Sequence, residues 1–321
     1  MLKTYVFFAL KLAVSAGLIW LLVERIEIGA VAERLTQLAP GAIAASLAIL
    51  LVQSVLASLR WRIVSQRVGV PLGFGVALRL LFVGLFFNQA LVSSIGGDAV
   101  RIWFVRHLAD GMAGAFRSVL IDRLVALAGL FLIVAASLPV LFDLMVTSAA
   151  RAGVLAVLGA GTGVLALLLL LDRLPLLPRR LRQASALDEF ARACRRVLLD
   201  ARTGLSAVGL SLLIHLLSVV TAFVLARGIG VEVSLGQMVV LLPPVILVAT
   251  LPISVAGWGV REGAMVTALG FAGVASADAF AVSVIFGLAL IVTALPGGAV
   301  WLIGLRRRTG PAAPPTVESR P

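Results

Sequence analysis

From Gly41 to Leu59, from Ala152 to Leu171, from Leu205 to Ala226 and from Phe280 to Leu305 the chain carries no acidic residue, lysine or arginine. Roughly 20 apolar residues are what a helix needs to cross the hydrocarbon of a bilayer. In hydrocarbon every backbone N–H and C=O must be satisfied inside the protein, which leaves only helices or a closed barrel. Barrel strands would read as segments of alternating polarity, and the sequence has none. The fold class is therefore all-α, a polytopic integral membrane helical bundle. Composition agrees, since 61% hydrophobic and 13% charged residues do not describe a soluble domain. Two further runs complete the spans. Tyr5 to Val23 holds Lys11 and is longer than a signal-peptide core, so it is read as retained. Arg117 to Phe142 carries Arg117, Asp122 and Arg123 in its first turns.

An eight-residue phrase occurs twice: Ser94-Ile95-Gly96-Gly97-Asp98-Ala99-Val100-Arg101 and Ser254-Val255-Ala256-Gly257-Trp258-Gly259-Val260-Arg261. Each follows an apolar run and sets an acid, Asp98 or Glu262, beside an arginine. Glycine pairs break helices, and broken apolar helices in two halves of a membrane chain point to a transport site. Coincidence in a chain rich in Gly, Ala and Val is the alternative.

Charge sets the expected topology. The net charge of +12 is carried almost wholly by arginine, which suits loops facing anionic lipid and makes nucleic acid a poor partner. The arginines gather in a basic aromatic collar at 60–67, in the segment 172–203, and at Arg306 to Arg308. All three fall on the cytoplasmic side if 76–114 is a re-entrant hairpin and 237–275 dips in from the other side or crosses twice. Span, hairpin and span then recur with opposite orientation, an inverted-topology repeat. This expectation puts both termini in the cytoplasm and the protein in the inner (cytoplasmic) membrane. Residues 1–305 form one transmembrane domain and 306–321 a disordered tail. Glu24 to Pro40 is a mixed-charge connector. Pro243-Pro244 interrupts the run from Gln237, and Pro296-Gly297-Gly298 kinks the last span. In 172–203, Ser185 is a candidate N-cap. Leu187, Phe190, Ala191, Cys194, Val197, Leu198 and Ala201 recur at helical spacing. Such a basic amphipathic helix suits an anionic leaflet, or equally a connector packed under the bundle.

Ionisable residues inside a membrane are functional or paired. Asp98 and Arg101 share a helix face at i, i+3, whereas Arg261 and Glu262, adjacent in sequence, are expected to find other partners. Arg101 and Arg261, with the amides of Gly96, Gly97 and Gly257, form two opposed pockets for a lipid phosphate. Asp98, Asp122, Arg123 and Glu262 would set arginine geometry or meet a cationic headgroup, and Asn88 and Ser254 border the broken ends. Structural ion pairs are the alternative. His107 and His215 are too few and too separated for a metal site, no Walker-type loop exists, and Ser94 and Ser254 lack a base. No cofactor and no catalytic residue is expected.

Taken in order, Asn88, Gly96 to Arg101, Ser118 to Arg123, Leu251-Pro252-Ile253-Ser254 and Gly257 to Gly263 resemble the lysylphosphatidylglycerol synthase transmembrane region, over roughly residues 5–305. The resemblance implies a flippase-like transporter moving a phospholipid or isoprenoid lipid between leaflets, and no enzyme. The cytosolic aminoacyltransferase domain of the two-part members is missing from this sequence, and Val92-Ser93-Ser94 stands where the family often has a proline. Two other readings stand beside it. One is a non-transporting membrane partner that presents a lipid to a separate glycosyltransferase or aminoacyltransferase; the other is a small-solute secondary transporter.

Overall fold

The computed structural model describes residues 28–90, 96–145, 147–170, 186–251 and 254–309, with isolated positions 17, 20 and 24 before them. The rest of the span expected at 5–23, Ser94, Pro252, Ser185, the whole of the arginine segment before residue 186, and the tail beyond 309 lie outside the described residues. Among those described there are eleven helices and no strand. They are α1 (Ile28–Thr36), α2 (Pro40–Arg67), α3 (Phe74–Ala90), α4 (Gly96–Val105), α5 (Gly111–Leu144) and α6 (Ser148–Leu170). Then follow α7 (Ala186–Leu198), α8 (Ala201–Gly228), α9 (Leu235–Ala249), α10 (Val260–Gly270) and α11 (Ser276–Thr309). Five are long and apolar enough to cross a membrane: α2, α5, α6, α8 and α11. They match the five expected spans that fall within the described residues.

The order long, short, short, long occurs twice. Helices α2 to α5 have 28, 17, 10 and 34 residues; α8 to α11 have 28, 15, 11 and 34. The two units run in opposite directions. Helices α2 and α8 lie antiparallel, Gln53 donating to Ser218 (2.8 Å) and Arg60 to Ser211 (3.2 Å), while Gly228 packs on Ala42. Helix α4 doubles back along α3, with Gly97 against Asn88 and Arg101 against Gly84. Val105, at the end of α4, clusters with Val70, Leu72 and Ala77, where α3 began. Helices α9 and α10 fold back in the same way: Leu242, Val245 and Ala249 line one cavity with Met265, Arg261 and Ala256. The two hairpins start from opposite ends of the bundle, an arrangement the charge argument allows.

Each hairpin packs on the other unit, α3 on α11 and α9 on α5. The glycine pair expected to kink α11 permits the first of these contacts. A Cβ on Gly297 would stand 1.9 Å from the Phe82 carbonyl oxygen, and one on Gly298 would meet the Phe86 ring. Helix α11 continues through Pro296 and runs on to Thr309, past the domain boundary expected at 305. Helix α9 likewise includes Pro243 and Pro244. Ser234 opens it with a reciprocal capping box to Gln237, which satisfies open N–H donors of the first turn.

Two expectations need correction, and one pair of open readings narrows. The connector 24–40 holds helix α1, tied to the start of α11 by Arg34 and Asp278 (2.6 Å). The collar at 60–67 is not a headgroup ring as a whole: Trp61 is fully buried and Arg60 nearly so, because both have polar partners inside the bundle. Finally, the apolar stripe of α7 faces protein. Phe190, Ala193, Cys194 and Val197 cluster with Val64, Ile121, Val125 and Ala207, which favours the connector reading. Leu187, counted in that stripe, is exposed.

Candidate functional site

The first hairpin builds its site from three elements. Asn88, near the end of α3, accepts the Gly97 N–H (2.8 Å) and so satisfies one of the open donors at the start of α4. Gly97 must be glycine, because a Cβ there would lie 2.0 Å from the Gly84 carbonyl oxygen. With α4 held this close, Asp98 and Arg101 pair across one turn (3.1 Å). Arg101 also donates to Asp122 of α5 (3.1 Å), and Arg123 makes two bonds to Asp98 (2.8 and 2.9 Å). Asp122 takes its second partner from α2, the Nε of Arg60 at 2.9 Å. Arg60, Asp122, Arg101, Asp98 and Arg123 thus form one continuous chain of ion pairs. Trp61 closes it from below: its ring lies 3.9 Å from the Arg101 guanidinium, and its indole N–H donates to Ser118, which also bonds Ser65.

Asp122 is 1% exposed and Arg101 3%, whereas the Arg123 side chain is 44% exposed. Three guanidiniums face two carboxylates, an excess of one positive charge. Its depth follows from the sequence. Arg123 is the last charge before the uncharged run of α5, and Arg60 is the first after that of α2. The cluster therefore sits at one edge of the apolar layer, with Arg123 opening to the surface.

The second hairpin repeats the theme with a different balance. Ala256, Gly257 and Gly259 all have positive φ (48°, 82° and 84°), a tight left-handed turn that ends at α10. Two of the three are glycine, which carries no Cβ penalty there. Glu262 reaches back to the Gly259 N–H (2.5 Å), and its other oxygen accepts from Arg261 (2.6 Å) and Ser283 (3.1 Å). Arg261 and Glu262 therefore pair with each other, contrary to the expectation that they part. The first turn of α10 allows it, since Glu262 is drawn back to cap the helix. Arg261 lies 4.7 Å from the Trp258 ring and fills the space that Gly287 leaves open. Beside it is a cavity of about 150 Å³, lined by Leu242, Val245, Ile246, Met265, Phe286 and Leu290 among others. The Ser254 hydroxyl is buried with no hydrogen-bond partner among the described residues.

The structure thus gathers Asn88, Gly97, Asp98, Arg101, Asp122 and Arg123 at one site, with Gly96 as the first residue of α4. Ser254, Gly257, Arg261 and Glu262 belong to the other hairpin. Where α3 crosses α11, Gly84 is near Arg101 and Phe82 meets Gly297; Arg261 meets Gly287. Ten residues of helix separate those two glycines, roughly 15 Å. Sequence reasoning missed Arg60, Trp61, Ser118, Ser211 and Ser283 as members. An arginine ending an uncharged run reads as a headgroup anchor, and only the placement of Asp122 opposite Arg60 shows otherwise. Among the described residues no group of His, Cys, Asp or Glu could hold a metal ion; His215 bonds the Ala126 carbonyl oxygen (3.0 Å) and His107 is exposed.

An all-α membrane bundle with two oppositely directed helical hairpins, each seating a buried arginine over a tryptophan, defines the class of protein. The sequence places it further: the family model for the lysylphosphatidylglycerol synthase TM region matches residues 8–297, and the chain belongs to that family. A UPF0104 membrane protein of Methanothermobacter thermautotrophicus (strain Delta H) is 26% identical, over 71% of this chain and 75% of its own. No solved structure matches the chain.

Proposed function

We propose that this protein is a flippase-like transporter, not an enzyme, moving an anionic phosphate-bearing lipid between the leaflets of the cytoplasmic membrane. The observation that carries the reading is the excess positive charge at the first hairpin. A cation unbalanced at the edge of the apolar layer calls for a counter-ion at headgroup depth, and a lipid phosphate supplies one. Arg123 is its point of entry, and Arg101 and the α4 amides lie behind it. The inverted repeat supports transport over simple capture, since equivalent hairpins from opposite ends are how many transporters alternate access. Family membership supports a lipid over a small solute.

One observation favours a second reading. Arg261 and Glu262 balance each other, so the two sites are not electrostatic equals. A chain that captures a lipid at one end and presents it to a separate glycosyltransferase or aminoacyltransferase would need no second anion site.

The test uses the purified protein in vesicles and follows fluorescent phosphatidylglycerol from one leaflet to the other. Arg123→Gln leaves two arginines and two aspartates, a balanced cluster that should fold. Transport should fall about tenfold or more, the equivalent of one charge-assisted hydrogen bond, and Arg123→Lys should keep part of it. Undiminished transport in Arg123→Gln defeats the phosphate site. Lipid binding without transport by the unaltered protein establishes the presenting role instead.

A further inference from the structure

Where α2 ends and α8 begins, α7 lies across the end of the bundle and leaves an open cleft of about 560 Å³. Its walls are Arg67 of α2, Arg192, Arg195 and Arg196 of α7, and Leu199 and Asp200 in the turn into α8. Four guanidiniums line it against one carboxylate. Asp200 is already engaged twice: it accepts the Thr203 N–H as the N-cap of α8 (3.0 Å) and a bond from Arg67 (3.2 Å). Hydrogen bonding from Thr203 holds its carboxyl below the ordinary range. Asp188 pairs with Arg192 and Arg195 has an interaction of its own; by formal charge the cleft lining and Asp188 together hold four arginines and two acids.

Three features decide what kind of anion fits. First, the cleft is at headgroup depth, just beyond the uncharged runs of α2 and α8. Second, Leu199 and Leu205 are 65% and 79% exposed, the first in the cleft wall and the second in the opening turns of α8. A soluble anion would leave both leucines in water; a lipid covers them with glycerol and upper acyl chain while its phosphate meets the arginines. Third, the apolar face of α7 is covered by the bundle, so the helix does not reach the leaflet by inserting itself. We propose that this cleft binds the headgroup phosphate of an anionic phospholipid from the adjoining leaflet, at a site separate from the hairpin cluster. The binding does not depend on transport.

The experiment places a photoreactive side chain at the cleft, Leu199→p-benzoylphenylalanine, in the full chain. The protein is reconstituted in equimolar phosphatidylglycerol and phosphatidylcholine, and adducts are weighed by mass spectrometry. Phosphatidylglycerol adducts should exceed phosphatidylcholine adducts by about tenfold, the order expected from one or two arginine–headgroup attractions. The excess should fall to parity in the Arg192→Gln/Arg195→Gln/Arg196→Gln background. It should fall equally in the unsubstituted background at about 1 M salt, where screening shortens to roughly 3 Å, so a triple variant that fails to fold leaves the salt arm to decide. Parity at low salt, or an excess that survives high salt, overturns the proposal. If soluble glycerol phosphate erases the excess, the cleft is a site for free anions and the lipid assignment is wrong.

Discussion

Asp122 is the residue on which the first site turns. It is 1% exposed and holds both Arg60 and Arg101. Removing its charge leaves two buried guanidiniums facing each other, a loss on the order of 3–5 kcal/mol when one partner of a buried pair is deleted. Asp122→Asn should therefore fail to accumulate as folded protein, whereas Asp122→Ala with Arg60→Ala should recover much of the yield, measured by gel filtration and thermal unfolding in detergent. Asp98→Asn should cost less, because Asp98 and Arg123 are partly exposed and solvent screens their pair. Equal loss in Asp98→Asn and Asp122→Asn would contradict this order. The spacing of Asp98 and Arg101 made their pairing legible in the sequence, since i and i+3 share a helix face. The pairing of Arg261 with Glu262 was not, because neighbouring residues point apart along a regular helix and meet here only through the cap on Gly259.

At the scale of elements, the crossing of α3 and α11 is the tightest test of packing. Gly297 admits no Cβ without displacing the Phe82 backbone. Gly297→Ala should lower the thermal midpoint, at a cost of about 1–3 kcal/mol for forcing atoms into a filled contact. Gly159→Ala in α6, where nothing lies within 4 Å, should be neutral or slightly stabilising, because alanine is the better helix former. Similar behaviour of the two variants would mean the crossing is looser than described. The spans and both hairpins were legible from uncharged runs and arginine placement. Helix α1 was not, being short and mixed in charge and kept in place by Asp278, far away in sequence. Nor was the burial of the α7 stripe, since an amphipathic helix states that it has an apolar face and not what covers that face.

At the scale of the whole molecule, the opposite entry of the two hairpins fixes which loops share a side. His107, after α4, and Ser276, before α11, should lie on opposite faces of the membrane. Cys194 provides a silent background: it is fully buried, and burial pushes its thiol up to about 12, so thiolate is scarce at neutral pH. His107→Cys and Ser276→Cys should react with an impermeant maleimide from opposite sides, in intact cells and inverted vesicles respectively or the reverse, while Cys194 reacts only after denaturation. Reaction of both from one side would refute the inverted repeat.

The exchange of hairpins between the two units has a consequence for how the chain is made. Helix α3 rests on α11, which the ribosome delivers some two hundred residues later. Until then the first hairpin, with its arginines, has left the ribosome without its partner. The first unit must wait in the membrane, unfinished, for the last helix to be synthesised. A chain interrupted before α11 would carry a charged hairpin with nothing to close over it, so quality control of this protein begins at its final span.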